Sequence, residues 1–320
     1  MKRTFRHVLA GIFIVCLTSL PMLAAVTGDI SGTVIDPNGA VITGANVTVK
    51  SLATGTVRTV TTSDVGQFSV PQLELGTYEV KIEKAGFKGY VEKAIVRSGE
   101  NTRLSISLAL GTAEAVVSVD AVTPTLDVAT AQISTSLDST EVLALPNQAR
   151  NPVAFATLAP GITPVSKDNP FLGTGSFNSN GSRGRANNIT VDGITHSDLS
   201  TTGTAGLGTF SFDGVQEFKL ISNNFDAEFG RNSGSQVQIT TKTGSNQFHG
   251  SAYWFYQSDA FNARDFLTPR TASGQPGPVS RFTQNQGGFT FGGPILKGHT
   301  FFLVIGKKTR RADQDHPIKL

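Results

Sequence analysis

The residue types that do chemistry are thinly spread along this chain of 320 residues. Its histidines, His7, His196, His249, His299 and His316, share no ligand spacing, so no metal centre is expected. No Ser/His/Asp or paired-carboxylate arrangement stands out, and the chain reads as a non-enzyme without a cofactor. The glycine stretch 173–184 does not follow a strand and open a helix, so it is not a phosphate loop. Asp36-Pro-Asn-Gly39 begins like a calcium loop but lacks the later Glu, and a hairpin turn suits it better. Arg183 and Arg185 could meet an anionic ligand or belong to the protein's own frame. One stretch carries recognition chemistry: Glu114, Ala115, Val116, Val117, Ser118 and Val119 join an acidic start to β-branched residues. Such a segment can add as an edge strand to a partner's sheet, with main-chain hydrogen bonds giving the affinity. The same pattern also suits an extension of the preceding domain, or a linker.

The elements that would position these residues follow from composition. Glycine is high at 34 residues, charged residues make up 16% and apolar residues 38%. Many Gly, Ser, Thr, Asn and Val residues favour short strands joined by turns over helices, and the length suits roughly two domains of ~150 residues. The first 25 residues have the three-part form of a secretory leader: Lys2, Arg3 and Arg6, an apolar run Val8 to Leu20, and small residues at Ala24 and Ala25. Three of the 27 basic residues lie there, leaving 24 basic against 24 acidic, so nucleic-acid binding is set aside. The lone Cys16 also lies in the leader, so the mature chain would hold no disulfide and no thiolate ligand. An exported protein of the bacterial envelope is expected.

Residues 26–111 alternate in period two. Leu104, Ile106, Leu108 and Leu110 share a face, as do Tyr78, Val80 and Ile82, and Val47 and Val49. Alternation implies one buried and one solvated face, as in antiparallel sheets, and seven short strands predict a Greek-key sandwich. Ile30-Ser-Gly-Thr-Val-Ile-Asp-Pro-Asn-Gly39, Gly44-Ala-Asn-Val-Thr-Val49, Asp64-Val-Gly-Gln-Phe68, Leu75-Gly-Thr-Tyr78 and Gly86-Phe87 resemble the carboxypeptidase-regulatory-like domain. That resemblance implies a non-catalytic, transthyretin-like sandwich. In the linker 112–125, the segment Glu114 to Val119 resembles the TonB box of outer-membrane receptors. This implies the TonB C-terminal domain of the TonB–ExbB–ExbD system as partner.

Within 126–243, Gln132 to Leu137 reads as a strand, and Asp138 or Ser139 caps a short helix ending before Pro146. Asn151 and Pro152 open a second helix that stops at Ala159-Pro-Gly161. Asn188 to Gly193, Val215 to Ile221 and Gly234 to Thr241 read as strands, between loops rich in Gly, Ser, Asn and Thr at 163–186 and 195–212. Leu145-Pro146 with Arg150-Asn151, Leu158-Ala-Pro-Gly161, Gly184-Arg-Ala-Asn-Asn188, Val191-Asp-Gly193, Val215-Gln-Glu-Phe218, Ala227-Glu-Phe-Gly230 and Thr241-Lys-Thr-Gly244 resemble, in order, the plug of Oar-like TonB-dependent outer-membrane transporters. The resemblance implies an α+β plug inside a barrel of about 22 strands, with the loops at 163–182 and 195–212 facing outward.

Residues 244–320 resemble the opening strands of such a barrel, at Gln247 to Tyr256, Asn262 to Phe266, Phe289 to Ile295 and Thr300 to Leu303. Room for about three strands remains, and an open transmembrane sheet leaves edges that lipid cannot satisfy. After Val304 the charged run Lys307 to His316 stands where an amphipathic strand should continue, so 305–320 reads as a frameshifted or truncated tail. The expectation is a mainly β chain: signal peptide, sandwich, plug and incomplete outer-membrane β-barrel. Its function would be the N-terminal portion of a TonB-dependent transporter of unknown external substrate. The alternative is a soluble periplasmic or surface module binding carbohydrate or protein.

Overall fold

The computed structural model describes residues 26–111, 117–119, 132–146, 150–164, 177–196, 211–226, 229–230, 232–261 and 281–314. The leader, Glu114 to Val116, most of the two Gly/Ser/Asn/Thr-rich loops (165–176 and 197–210) and 315–320 lie outside the described residues. The described part is mainly β.

The N-terminal unit packs two sheets around one core. Its strands are β1 (Thr27–Ile35), β2 (Asn46–Ser51), β3 (Val57–Thr61), β4 (Gln67–Glu74), β5 (Gly76–Glu83), β6 (Tyr90–Val96) and β7 (Asn101–Ser107). A short β8 (Val117–Val119) follows. One sheet runs β4-β1-β7 and the other β3-β2-β5-β6-β8. Most of the period-two residues fill the space between them: Val47, Val49, Tyr78, Val80, Ile82, Leu104, Ile106 and Leu108 join Ile30, Val34, Phe68 and Val70 in a single cluster, whereas Leu110, beyond the end of β7, is exposed. Pairing is not antiparallel throughout. The first strand, β1, runs parallel to the last, β7, from Asp29↔Asn101 to Ile35↔Ser107. At this close approach a Cβ on Gly32 would sit 2.5 Å from the Leu104 carbonyl and 2.7 Å from the Phe68 ring, so glycine is required there.

A second, central unit begins at β9 (Ile133–Asp138) and the helix α1 (Ser139–Ala144). Asp138 caps α1 with a reciprocal capping box: its side chain accepts from Thr140 and Glu141, and the Glu141 carboxylate accepts from the Asp138 amide. The segment opened by Asn151 and Pro152 is a 3-10 helix, Pro152–Leu158. Then come β10 (Ile162–Pro164), β11 (Phe177–Ser179), β12 (Asn188–Val191), β13 (Ile194–Thr195), β14 (Val215–Asn223) and β15 (Gln236–Thr241). The main sheet has the order β13-β12-β15-β14-β9. One face, with Ile189, Phe218, Leu220, Val237 and Ile239, packs on Val142, Val153, Phe155 and Phe212.

The C-terminal sheet is an antiparallel meander of β16 (His249–Ser258), β17 (Arg281–Leu296) and β18 (Thr300–Gln314). Neither outer edge has a strand neighbour among the described residues. One face exposes Phe248, Trp254, Tyr256, Phe289, Phe291 and Val304. Phe248, Phe291 and Phe302 cluster at one end of it, with the Phe248 and Phe291 rings stacked 6.1 Å apart. From Phe248 to Tyr256 is about 26 Å along the strand at ~3.3 Å per residue, of the order of the ~25 Å lipid-facing band of outer-membrane barrels. Several rings lie over a glycine of the neighbouring strand: Tyr253 over Gly288, Phe289 over Gly306 and Phe248 over Gly293, where a Cβ would collide with the ring.

The charged stretch after Val304 does not break the sheet, contrary to the sequence expectation. β18 runs on through Lys307, Lys308 and Arg310 and stays in register with β17 as far as Gln314↔Arg281. Main-chain pairing carries a strand through polar side chains wherever a neighbour strand accompanies it, and barrel strands pass beyond the apolar band.

Candidate functional site: an edge strand and the junctions around it

The segment singled out for recognition lies on a sheet edge. Val117, Ser118 and Val119 form β8, which pairs in parallel with β6 through Tyr90↔Val117, Val91↔Ser118 and Glu92↔Val119. Of the two strand readings open in the sequence, this is the one in which the segment extends the sandwich. β8 ends the sheet order, so its other edge has no strand neighbour among the described residues.

The strand that holds β8 leads straight into a junction with the central unit. After β6 the chain turns at Arg97-Ser-Gly-Glu100, and β14 grips this turn. The Ser98 amide donates to the Glu217 carboxylate, 3.1 Å to Oε2. The Lys219 ammonium donates to the Ser98 carbonyl at 2.8 Å and pairs with Glu100 at 3.1 Å. The Ser98 hydroxyl donates to Gln238 of β15 at 3.4 Å. Glu217 and Lys219 are only 5% and 3% exposed. Burial pushes the Glu217 carboxyl up to about 7; the Ser98 hydrogen bond and then Lys219 pull it down, Glu100 adds to the rise and Arg97 opposes it.

A second junction ties the sandwich to the C-terminal sheet. The Asn246 amide donates to the Ala53 carbonyl at 3.0 Å. Its side chain donates to the Thr54 carbonyl and accepts from the Gly298 amide at 2.8 Å. Gly298 belongs to the short turn between β17 and β18.

A third cluster joins the central unit to the inner face of β16. Arg150 bonds Asp213 at 2.5 Å, and its guanidinium lies 4.7, 4.5 and 4.2 Å from the ring centroids of Phe212, Tyr253 and Phe255. A cation between aromatic faces and one carboxylate is a packing anchor. Beside it is a cavity of about 370 Å3, bordered by Leu145, Arg150, Phe212, Phe255 and Gln286.

Arg183 is exposed at the start of the 3-10 turn Gly184–Ala186, which contains Arg185. It follows Ser182, which lines a polar groove of about 340 Å3 with Ser179, Asn180, Ser222 and Asn223. Sequence reasoning missed Glu217, Lys219, Asn246 and Arg150 as site residues. The available signal was in β14, where Glu217 and Lys219 alternate with core residues Phe218 and Leu220 and therefore share the sheet's second face.

A sandwich, a mixed-sheet unit and an aromatic-banded antiparallel sheet in this order define a class of envelope protein built around an outer-membrane β-barrel. Residues 29–109 match the carboxypeptidase regulatory-like domain family, and residues 240–319 match the outer membrane beta barrel domain family. The chain is similar to the TonB-dependent transporter Oar of Myxococcus xanthus, 30% identical over 301 residues, a match covering 88% of this chain and 26% of that protein. It thus spans about a quarter of the length of that curated relative. Among solved structures it is similar to the siderophore receptor PirA of Acinetobacter baumannii, at 17% identity and a TM-score of 0.41, over 55% of this chain and 24% of that one. It is also similar to a catechol 1,2 dioxygenase of Acinetobacter radioresistens, at 12% identity and a TM-score of 0.24, over 30% and 56% of the two chains. Export to the outer membrane follows from the Oar homology and the barrel family.

Proposed function

We propose that the chain works as part of a TonB-dependent transporter, with no enzymatic activity of its own. Residues 26–111 would be its periplasmic sandwich, 126–243 its plug and 244–320 the first strands of its barrel. The observation that carries this reading is the collinear match to Oar across 88% of the chain. The outward band from Phe248 to Tyr256 supports it independently, being of the order of a lipid-facing band in length. The substrate would reach the plug from outside, and Arg183 and Arg185 are candidate plug contacts for an anionic one.

In this reading TonB engages the segment Glu114 to Val119 by strand addition. Because β8 already pairs with β6, TonB would either extend the sheet at the open edge of β8 or strip β8 from β6. The test is binding of a TonB C-terminal domain to the 320-residue chain and to its Val117→Pro variant. Proline removes a backbone donor in the middle of the segment, so binding is expected to fall at least tenfold. Equal affinity of the two chains would overturn the assignment.

A further inference from the structure

Among the described residues, hydrogen bonds tie the sandwich to both of its neighbours. Against the central unit the contacts are Ser98 and Glu100 with Glu217, Lys219 and Gln238. Against the C-terminal sheet they are Ala53 and Thr54 with Asn246. A charged or amide group released from such a contact exchanges its partner for water, whereas a released apolar face has no such substitute. On the second face of the central sheet Glu217, Lys219 and Gln238 stand beside the buried Ile221, opposite the Phe218, Leu220 and Val237 of the core face, so polar groups make the recorded bonds of that face to the sandwich. Small polar interfaces within a chain permit relative domain motion by default.

We propose that the sandwich is a releasable cap on the polar face of the central sheet, opening as one body at the Ser98 and Asn246 junctions together. The cap sits at the end of the C-terminal sheet that carries the short Gly298 turn. In outer-membrane barrels short turns face the periplasm and long loops face outward. Under the transporter reading above, the cap would therefore close the periplasmic side of the plug. That role rests on the transporter reading; the opening itself does not.

The structure supplies a pair of reporters. The Ser98 amide is held only by Glu217 among the described residues, and the Asn246 amide by Ala53, so each crosses the boundary. Amide hydrogen exchange on the 320-residue chain in detergent micelles reads both, with the strand amides of Val80 and Ile239 as core controls. Cap opening requires that Ser98 and Asn246 exchange at least tenfold faster than the controls. It also requires that Glu217→Ala, which removes the Ser98 acceptor outright, speeds the Asn246 amide as well, although Asn246 makes no bond to Glu217. Acceleration of Ser98 alone would mean separate local contacts and would overturn the proposal. So would exchange of both amides at the rate of the controls, which would mean one rigid body. Unchanged control rates certify that the variant is folded. Should Glu217→Ala not fold, Asn246→Ala serves in its place: it must speed the Ser98 amide, and an unchanged Ser98 overturns the cap. Loss or retention of TonB binding does not bear on either amide, so the two readings fail separately.

Discussion

Arg150 and Asp213 form a 2.5 Å ion pair across 63 residues of sequence, with side chains 13% and 8% exposed. The pair stands where the central unit meets β16. Arg150 holds a positive φ of 46°, a backbone region costly for a non-glycine residue, so its contacts must offset local strain. Removing Arg150 takes the direct ion-pair partner from a buried carboxylate and leaves only the less direct charges of Lys242 and Lys307 near it. Arg150→Ala should therefore destabilise the central unit by about 3–5 kcal/mol, while Arg150→Ala combined with Asp213→Ala should cost less than the single change. Urea unfolding of the four chains of this cycle measures the difference. Equal, additive losses would show that the pair is not coupled.

Glu217 should make docking of the sandwich pH-dependent. Its carboxyl is pushed up to about 7, mainly by burial, with the Ser98 bond and then Lys219 pulling down, Glu100 raising it and Arg97 lowering it. The docked state holds the proton more tightly than an exposed glutamate does. Its contribution to docking is complete below the ordinary value of 4.5 and is lost as pH rises through about 7. Exchange at Ser98, corrected for intrinsic base catalysis, should rise between about pH 5 and about pH 8. Glu217→Gln, which cannot ionise, should give a flat profile; a slope equal to that of the parent chain would locate the titration elsewhere.

Gly32 is pressed between the parallel strand β7 and the Phe68 ring. Gly32→Ala should lower the unfolding free energy of the sandwich by about 1–3 kcal/mol through overpacking. Gly39→Ala, at a turn with open space around it but a φ of 86°, should cost less. Thermal melts of the two variants rank them, and the reverse order would refute the packing argument.

Trp254 is the single tryptophan of the chain, 73% exposed on the banded face of β16. Reconstituted with brominated lipids, its fluorescence should be quenched. Bromines near the headgroups should be the most effective, because Trp254 shares its face and end of the sheet with Tyr256. Emission insensitive to every bromine position would remove the banded face from the bilayer.

Much of the architecture was legible because period-two alternation reports burial directly. Val47, Val49, Tyr78, Val80, Leu104 and Ile106 were identifiable as core from spacing alone, and all lie in one cluster. Turn and cap chemistry was equally local, so Asp138 and Asn151 stand where their residue types placed them. What escaped was non-local. Alternation says that Glu217 and Lys219 leave the core face of β14; it cannot say that another domain covers them. Arg150 carries no local signal, since its aromatic neighbours come from the turn at Phe212 and from β16, both remote in sequence. The charged run after Val304 carries no hydropathic sign of a strand. Pairing with β17 sustains it instead, and the barrel family match also extends to residue 319.

The rings that lie over glycines in the C-terminal sheet have a consequence for how it assembles. A slip of two residues would bring Phe289 opposite Val304 or Lys308 instead of Gly306, and Tyr253 opposite Gln286 or Thr290 instead of Gly288. Each error sets a side chain where only a hydrogen atom fits. The three strands thus carry their own alignment before any further strand arrives. They form a template whose free edge is already in phase for any strand that pairs with it.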